Sequence, residues 1–242
     1  MLDAPPSPAG EGLGVGLTPL ETYGRITDPS GLALNLLHRV STKVWPAHKH
    51  VFQQCLQCVF RIETQGRQQS ADIPAVDEIA HITASKGGSS VLLFRCLLPD
   101  SLPETERLAL FEFGHLVQLS DDIFDLWHDL QTGTATMATR LASQGDCAQL
   151  GQVFEDQAAR VVEVFRKIQT PGSQRETALH TVFFLVAITR VCLRHYQYLQ
   201  KKRGTLPLNH RRALVVDMAR WKFRWRVVAA LLDHRTFFNR TP

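Results

Sequence analysis

Between Pro103 and Gly133 the chain holds a single glycine, Gly114, and no proline. Its apolar residues return at every third or fourth position: Leu116, Leu119, Ile123, Leu126 and Leu130. That spacing follows the 3.6-residue turn of an α-helix and is incompatible with the two-residue alternation of a strand. It predicts one helix from about Glu104 to Leu130, closed by Gly133 and Thr134. The same reading predicts further helices over 47–64, 76–98, 136–144, 147–169, 173–203 and 208–233. A helical pattern also begins near Gly31 and is broken at Pro46. Pro74, Pro99 to Pro103, Gly145, Pro171-Gly172 and Gly204 to Pro207 punctuate them. No strand-like alternation persists and no repeat is visible, so the expected class is all-α.

Residues 1–20 contain Pro5, Pro6 and Pro8 among glycines and are read as a disordered leader. Residues 21–242 are expected to form a single helical domain. Apolar residues make up 44 % of the 242 residues, enough to bury a core of that size. No unbroken apolar run reaches the roughly 18 residues of a membrane span. The chain does not start with a basic segment followed by an apolar one, so no secretory signal is expected. Five cysteines, an odd number in so long a chain, argue against a disulfide framework. A cytoplasmic location is the expectation.

The net charge of +4 is unevenly spread: from Lys201 onward eleven Lys and Arg face two acids, Asp217 and Asp233. Such a basic end suits a phosphorylated ligand, an acidic lipid surface or a nucleic acid. The segment Arg220-Trp221-Lys222-Phe223-Arg224-Trp225-Arg226 lies within it. On a helix its aromatic residues do not share one face, and Trp221 and Trp225, one turn apart, are expected to pack inward. Nucleic acid is therefore not expected as a partner, whereas peripheral membrane contact through the basic end is.

The chemistry-bearing segment is Gly114-His115-Leu116-Val117-Gln118-Leu119-Ser120-Asp121-Asp122-Ile123-Phe124-Asp125-Leu126-Trp127-His128-Asp129. On a helix, positions 114, 118, 121, 125 and 129 form one stripe, with Asp122 beside it. Like charges one turn apart repel, more so when partly buried. A hard divalent cation relieves that repulsion. Mg²⁺ typically takes one or two carboxylates, several waters and the oxygens of a substrate phosphate. An acidic stripe on an otherwise apolar helix is thus half of a diphosphate site. The alternative is a solvated acidic face.

This segment resembles the second aspartate-rich motif of the class I isoprenoid synthase superfamily. In its trans-prenyl diphosphate synthases a Gln precedes Asp-Asp-x-x-Asp and another Asp follows; Gln118, Asp121, Asp122, Asp125 and Asp129 match that order. The resemblance is strong over about 76–135 and loose over 30–75 and 136–233. It implies an antiparallel helical bundle and Mg²⁺-dependent chemistry on an allylic prenyl diphosphate, by chain elongation, condensation or cyclisation. It implies Asp121 and Asp125 as first metal ligands and catalytic residues, then Asp122 and Asp129. Lys86, in Lys86-Gly87-Gly88-Ser89-Ser90, would hold a diphosphate oxygen. Gln118 would orient a water or ligand, and Arg211 and Arg212 would contact the diphosphate. A dimer is compatible with it.

Two departures accompany the resemblance. Gly133-Thr134 stands where prenyl synthases usually have Gly-Lys. No first aspartate-rich motif precedes Lys86, where the acids are Asp3, Glu11, Glu21, Asp28, Glu63, Asp72, Asp77 and Glu78. Either N-terminal helices are missing or half a metal site suffices. A non-catalytic relative that binds a prenyl diphosphate or serves as a partner subunit is the alternative.

Two other constellations are weaker. His48, His50, Cys55 and Cys58 have the makings of a zinc site, but Cys55 and Cys58 fit a buried helical face better. His128-Asp129, with His81 and His115, is reminiscent of helical metal phosphohydrolases. The paired glycines Gly87 and Gly88, each costing about 1 kcal/mol in mid-helix, call for a close helix approach or room for an isoprenoid chain.

Overall fold

The computed structural model describes residues 36–68, 75–168, 172–217 and 219–232. The expected leader and the start of the domain at residue 21 lie outside them. The chain divides into two compact units, Met1–Lys43 and Val44–Pro242. In the first, residues 36–41 are helical, and Ser41 Oγ donates to the His38 carbonyl at 2.7 Å.

In the second unit a 3₁₀ turn at Pro46–His48 leads into α1 (Lys49–Gln68). It is followed by α2 (Val76–Arg95), α3 (Glu104–Phe124), α4 (Leu126–Thr132) and α5 (Met137–Ser143). Then come α6 (Cys147–Arg166), α7 (Gly172–Arg203), α8 (Arg211–Leu214) and α9 (Trp221–Leu232). The described residues contain no strand, so the all-α expectation holds.

α3 is the hub. It packs against α2, α6 and α7, while α1 covers α2 and α9 lies on α7. Its apolar line, Leu116, Leu119 and Ile123, continues into Leu126 and is buried against Leu150, Phe154, Val161 and Val186. The glycines of α2 have a geometric reason. A Cβ on Gly87 would overlap the Gly114 carbonyl, and one on Gly114 would overlap that of Gly87. A Cβ on Gly88 would strike the Phe111 ring. The two backbones cross where neither carries a side chain, so close helix approach answers the cost of the paired glycines.

Two predicted helices are corrected. The stretch from Glu104 to Leu130 is not continuous: the backbone steps at Asp125 (φ −89°, ψ 8°), between α3 and α4. Tyr196 Oη donates to the Ile123 carbonyl there at 2.9 Å, and an outside donor entering the ladder is a recognised cause of a helix bend. The helix expected over 208–233 is instead two, α8 and α9. Val215 is extended (φ −67°, ψ 123°), and the Asp217 side chain accepts from the Ala219 N–H at 2.9 Å, an Asx turn that restarts the chain.

The ends follow ordinary capping chemistry. Gly133 closes α4 at φ 70°, Thr136 and Thr139 form a capping box on α5, and Asp146 accepts from the Gln149 N–H at 2.9 Å. The longest unbroken apolar run of α7 is only Val182 to Ile188, yet Gln174–Arg203 is long and apolar enough to cross a membrane by length and composition. Half of its most apolar window is buried in the bundle.

Candidate functional site

The acidic stripe divides into two kinds of carboxylate. Asp121 and Asp125 face solvent. Asp122 is only 6 % exposed and is tied down on both oxygens: Gln118 Nε2 donates to Oδ1 at 2.9 Å and Thr83 Oγ1, from α2, to Oδ2 at 3.3 Å. The Gln118 amide also reaches Asp121 Oδ2 at 3.5 Å. Gln118 therefore braces two carboxylates of its own helix.

Burial shifts these acids upward. Asp122 is pushed to about 6, chiefly by desolvation, with Gln118 opposing and the charges of Asp129 and Asp121 adding. Asp129 is also pushed to about 6, by desolvation and then by Asp125, while His128 opposes. Asp121 is raised by desolvation and by Asp125 and is held down in part by Lys86. The four carboxylates thus share one electrostatic neighbourhood, as repulsion along a single stripe requires.

Lys86 belongs to the same neighbourhood. Its ammonium lies 2.8 Å from Glu63 Oε1 on α1, and its charge favours ionised Asp121 and Asp129. The Arg211 guanidinium stacks over the Trp127 ring at 5.3 Å. Arg212 is exposed on the same short helix.

The sequence reading overlooked Glu63 and Thr83. Nothing in the local sequence of Glu63 marks it; the packing of α1 on α2 brings it to Lys86. Thr83 lies one turn before Lys86 on the same helix, a spacing that puts the two on one face. Thr83 also lines a cavity of about 210 Å³ together with His115, Leu119, Asp156, Gln157 and Arg160. Burial lowers the His115 pKa, and the charge of Arg160 lowers it further against that of Glu112. The cavity is smaller than the roughly 300–1,000 Å³ of most small-molecule pockets.

Among the described residues no group of three His, Cys, Asp or Glu side chains converges closely enough to hold a metal as it stands. The zinc candidates separate: His48 and Cys55 are buried and His50 is exposed. Burial pushes the Cys55 thiol up to about 11. Trp221 and Trp225, expected to pack inward, are 66 % and 54 % exposed; Phe223 and Val227 take the inward positions. Compared with protein-family models, with curated proteins and with solved structures, the chain matches none.

Proposed function

We propose that the stripe of α3 and α4 binds a diphosphate with the help of Mg²⁺, and that the protein is an isoprenoid synthase-like enzyme acting on an allylic prenyl diphosphate. The observation that carries this reading is the acidic stripe itself: burial and mutual repulsion raise Asp121, Asp122 and Asp129, and the Lys86 ammonium acts against that rise at Asp121 and Asp129. The donor set suits the cation. Asp121 and Asp125 offer hard oxygen ligands one turn apart on the solvent side, and Mg²⁺ usually asks a protein for no more than one or two carboxylates. When bound, Mg²⁺ supplies positive charge that offsets a leaving diphosphate.

The residues divide the remaining work. Asp121 and Asp125 are the first ligands, with Asp129 one turn further on. Asp122, held by Gln118 and Thr83, fixes the wall of the stripe. Lys86 exchanges Glu63 for a diphosphate oxygen, as a compact cation on a flexible stem can. Arg211 and Arg212 are assigned to the basic surface outside the stripe.

The small cavity beside Thr83 favours a second reading, in which the protein binds a prenyl diphosphate without turning it over. One experiment separates them. The protein is incubated with Mg²⁺ and geranyl, farnesyl or geranylgeranyl diphosphate, and released diphosphate is measured. Turnover that disappears in Asp125→Ala supports the enzyme. Mg²⁺-dependent binding without release supports the binding protein, and absence of both overturns the site.

A further inference from the structure

α9 has two apolar faces, and among the described residues only one is packed against the protein. Phe223 and Val227 are buried against Ile188, Val191 and Val216, which seats the helix on α7. Trp221, Trp225 and Val228, at positions i, i+4 and i+7, form a second ridge that faces outward. The two indoles meet edge to face, with centroids 5.2 Å apart and planes at 88°. Lys222 and Arg226 flank it, held over the Phe223 ring at 4.8 and 5.5 Å, and Arg224 is exposed on the other side.

We propose that α9 is a membrane-surface helix, with the Trp221–Trp225 ridge entering the interface of a bilayer that carries anionic headgroups. Charge complementarity selects this occupant. The ridge is enclosed by cations, within a stretch from Lys201 onward that holds eleven basic residues against two acids. Indoles favour the boundary between headgroups and acyl chains, where the ring is buried and its N–H stays wet. A short helix with tryptophans on one face and cations beside them lies in that plane. The inference is independent of the metal reading, because it uses no residue of the stripe.

The test is sedimentation of the full-length chain with vesicles of phosphatidylcholine, with and without phosphatidylserine. Binding to the phosphatidylserine vesicles that weakens as salt is raised is the expected result. W221A/W225A should lower partitioning roughly tenfold or more, since each exposed indole gives up its burial in lipid. K222Q/R226Q should lower it roughly fivefold per charge on phosphatidylserine vesicles only. Circular dichroism should show both variants folded, as the replaced side chains are exposed. Failure to bind vesicles, or unchanged binding by W221A/W225A, overturns the proposal. So does self-association that W221A/W225A abolishes in the absence of vesicles, or capture by a single-stranded oligonucleotide in place of lipid.

Discussion

The Tyr196 hydroxyl donates to the Ile123 carbonyl at 2.9 Å, in the last turn of α3 and two residues before the backbone steps at Asp125. A core helix thereby fixes the point at which the acidic stripe bends. Burial holds the phenol well above its usual pKa, so it remains a donor through the physiological range. Tyr196→Phe keeps the ring and removes the donor. It should cost about 1–3 kcal/mol in urea unfolding, the range for leaving a buried acceptor unpaired. If the bend also places Asp125 for its ligand, Mg²⁺-dependent diphosphate binding should weaken in the same variant. A change in stability below the error of the fit would remove Tyr196 from this role.

The crossing of α2 and α3 makes a second prediction. Gly87→Ala pushes a methyl group into the Gly114 carbonyl and to 2.8 Å from Gln118 Cβ. Because backbone and not a flexible side chain is in the way, the helices must separate. The expected loss is roughly 1–3 kcal/mol, typical of overpacking, and occasionally more. The separation also moves Thr83 and Lys86 away from Asp122 and Asp121. Thermal unfolding of Gly87→Ala beside Gly133→Ala checks this. No atom lies within 4 Å of a Cβ on Gly133, so strain there comes from φ 70° alone.

What the sequence disclosed, and what it withheld, follows from the range of each interaction. The helices and the stripe were legible because both are local: 3.6-residue spacing sets which residues share a face. The step at Asp125 was hidden because its donor, Tyr196, comes from a distant part of the chain. Glu63 was hidden for the same reason. Trp221 and Trp225 misled because tryptophan on an amphipathic pattern reads as core. Phe223 and Val227 took the inward face, and the longer helix expected there is interrupted at extended Val215 and restarts after the Asx turn of Asp217.

Asp122 and Asp129 predict an unusual pH dependence. Each has a folded pKa of about 6 against an ordinary value of 3.8. Between those values the folded chain binds more protons than the unfolded one, so these two groups make stability rise as pH falls from about 6 toward 4. Above pH 6 they are charged in both states, and their burial is a net cost. Asp122→Asn removes that cost. Its amide oxygen still accepts from Gln118, and its N–H can meet the Thr83 hydroxyl. In metal-free buffer at pH 7 the variant should be more stable by on the order of 1–3 kcal/mol, with a flatter profile from pH 4 to 6. Urea unfolding across that interval decides it, and a variant less stable at pH 7 refutes the assignment.

Glu63 and Lys86 set the final test, because their 2.8 Å ion pair competes with the proposed use of the ammonium. Both side chains are substantially exposed, so the pair itself is worth no more than about 1 kcal/mol of stability. Glu63→Gln should therefore leave the unfolding midpoint almost unchanged. It should nevertheless tighten binding of inorganic diphosphate in the presence of Mg²⁺ by up to roughly fivefold, since Lys86 no longer has to leave a carboxylate. Lys86→Gln should weaken the same binding roughly tenfold, as loss of a charged hydrogen bond does. Titration calorimetry on the two variants reads both signs. If instead Glu63 serves as a ligand on the far wall of the metal site, Glu63→Gln weakens binding. The direction of that one change thus separates a competing carboxylate from a missing half of the site.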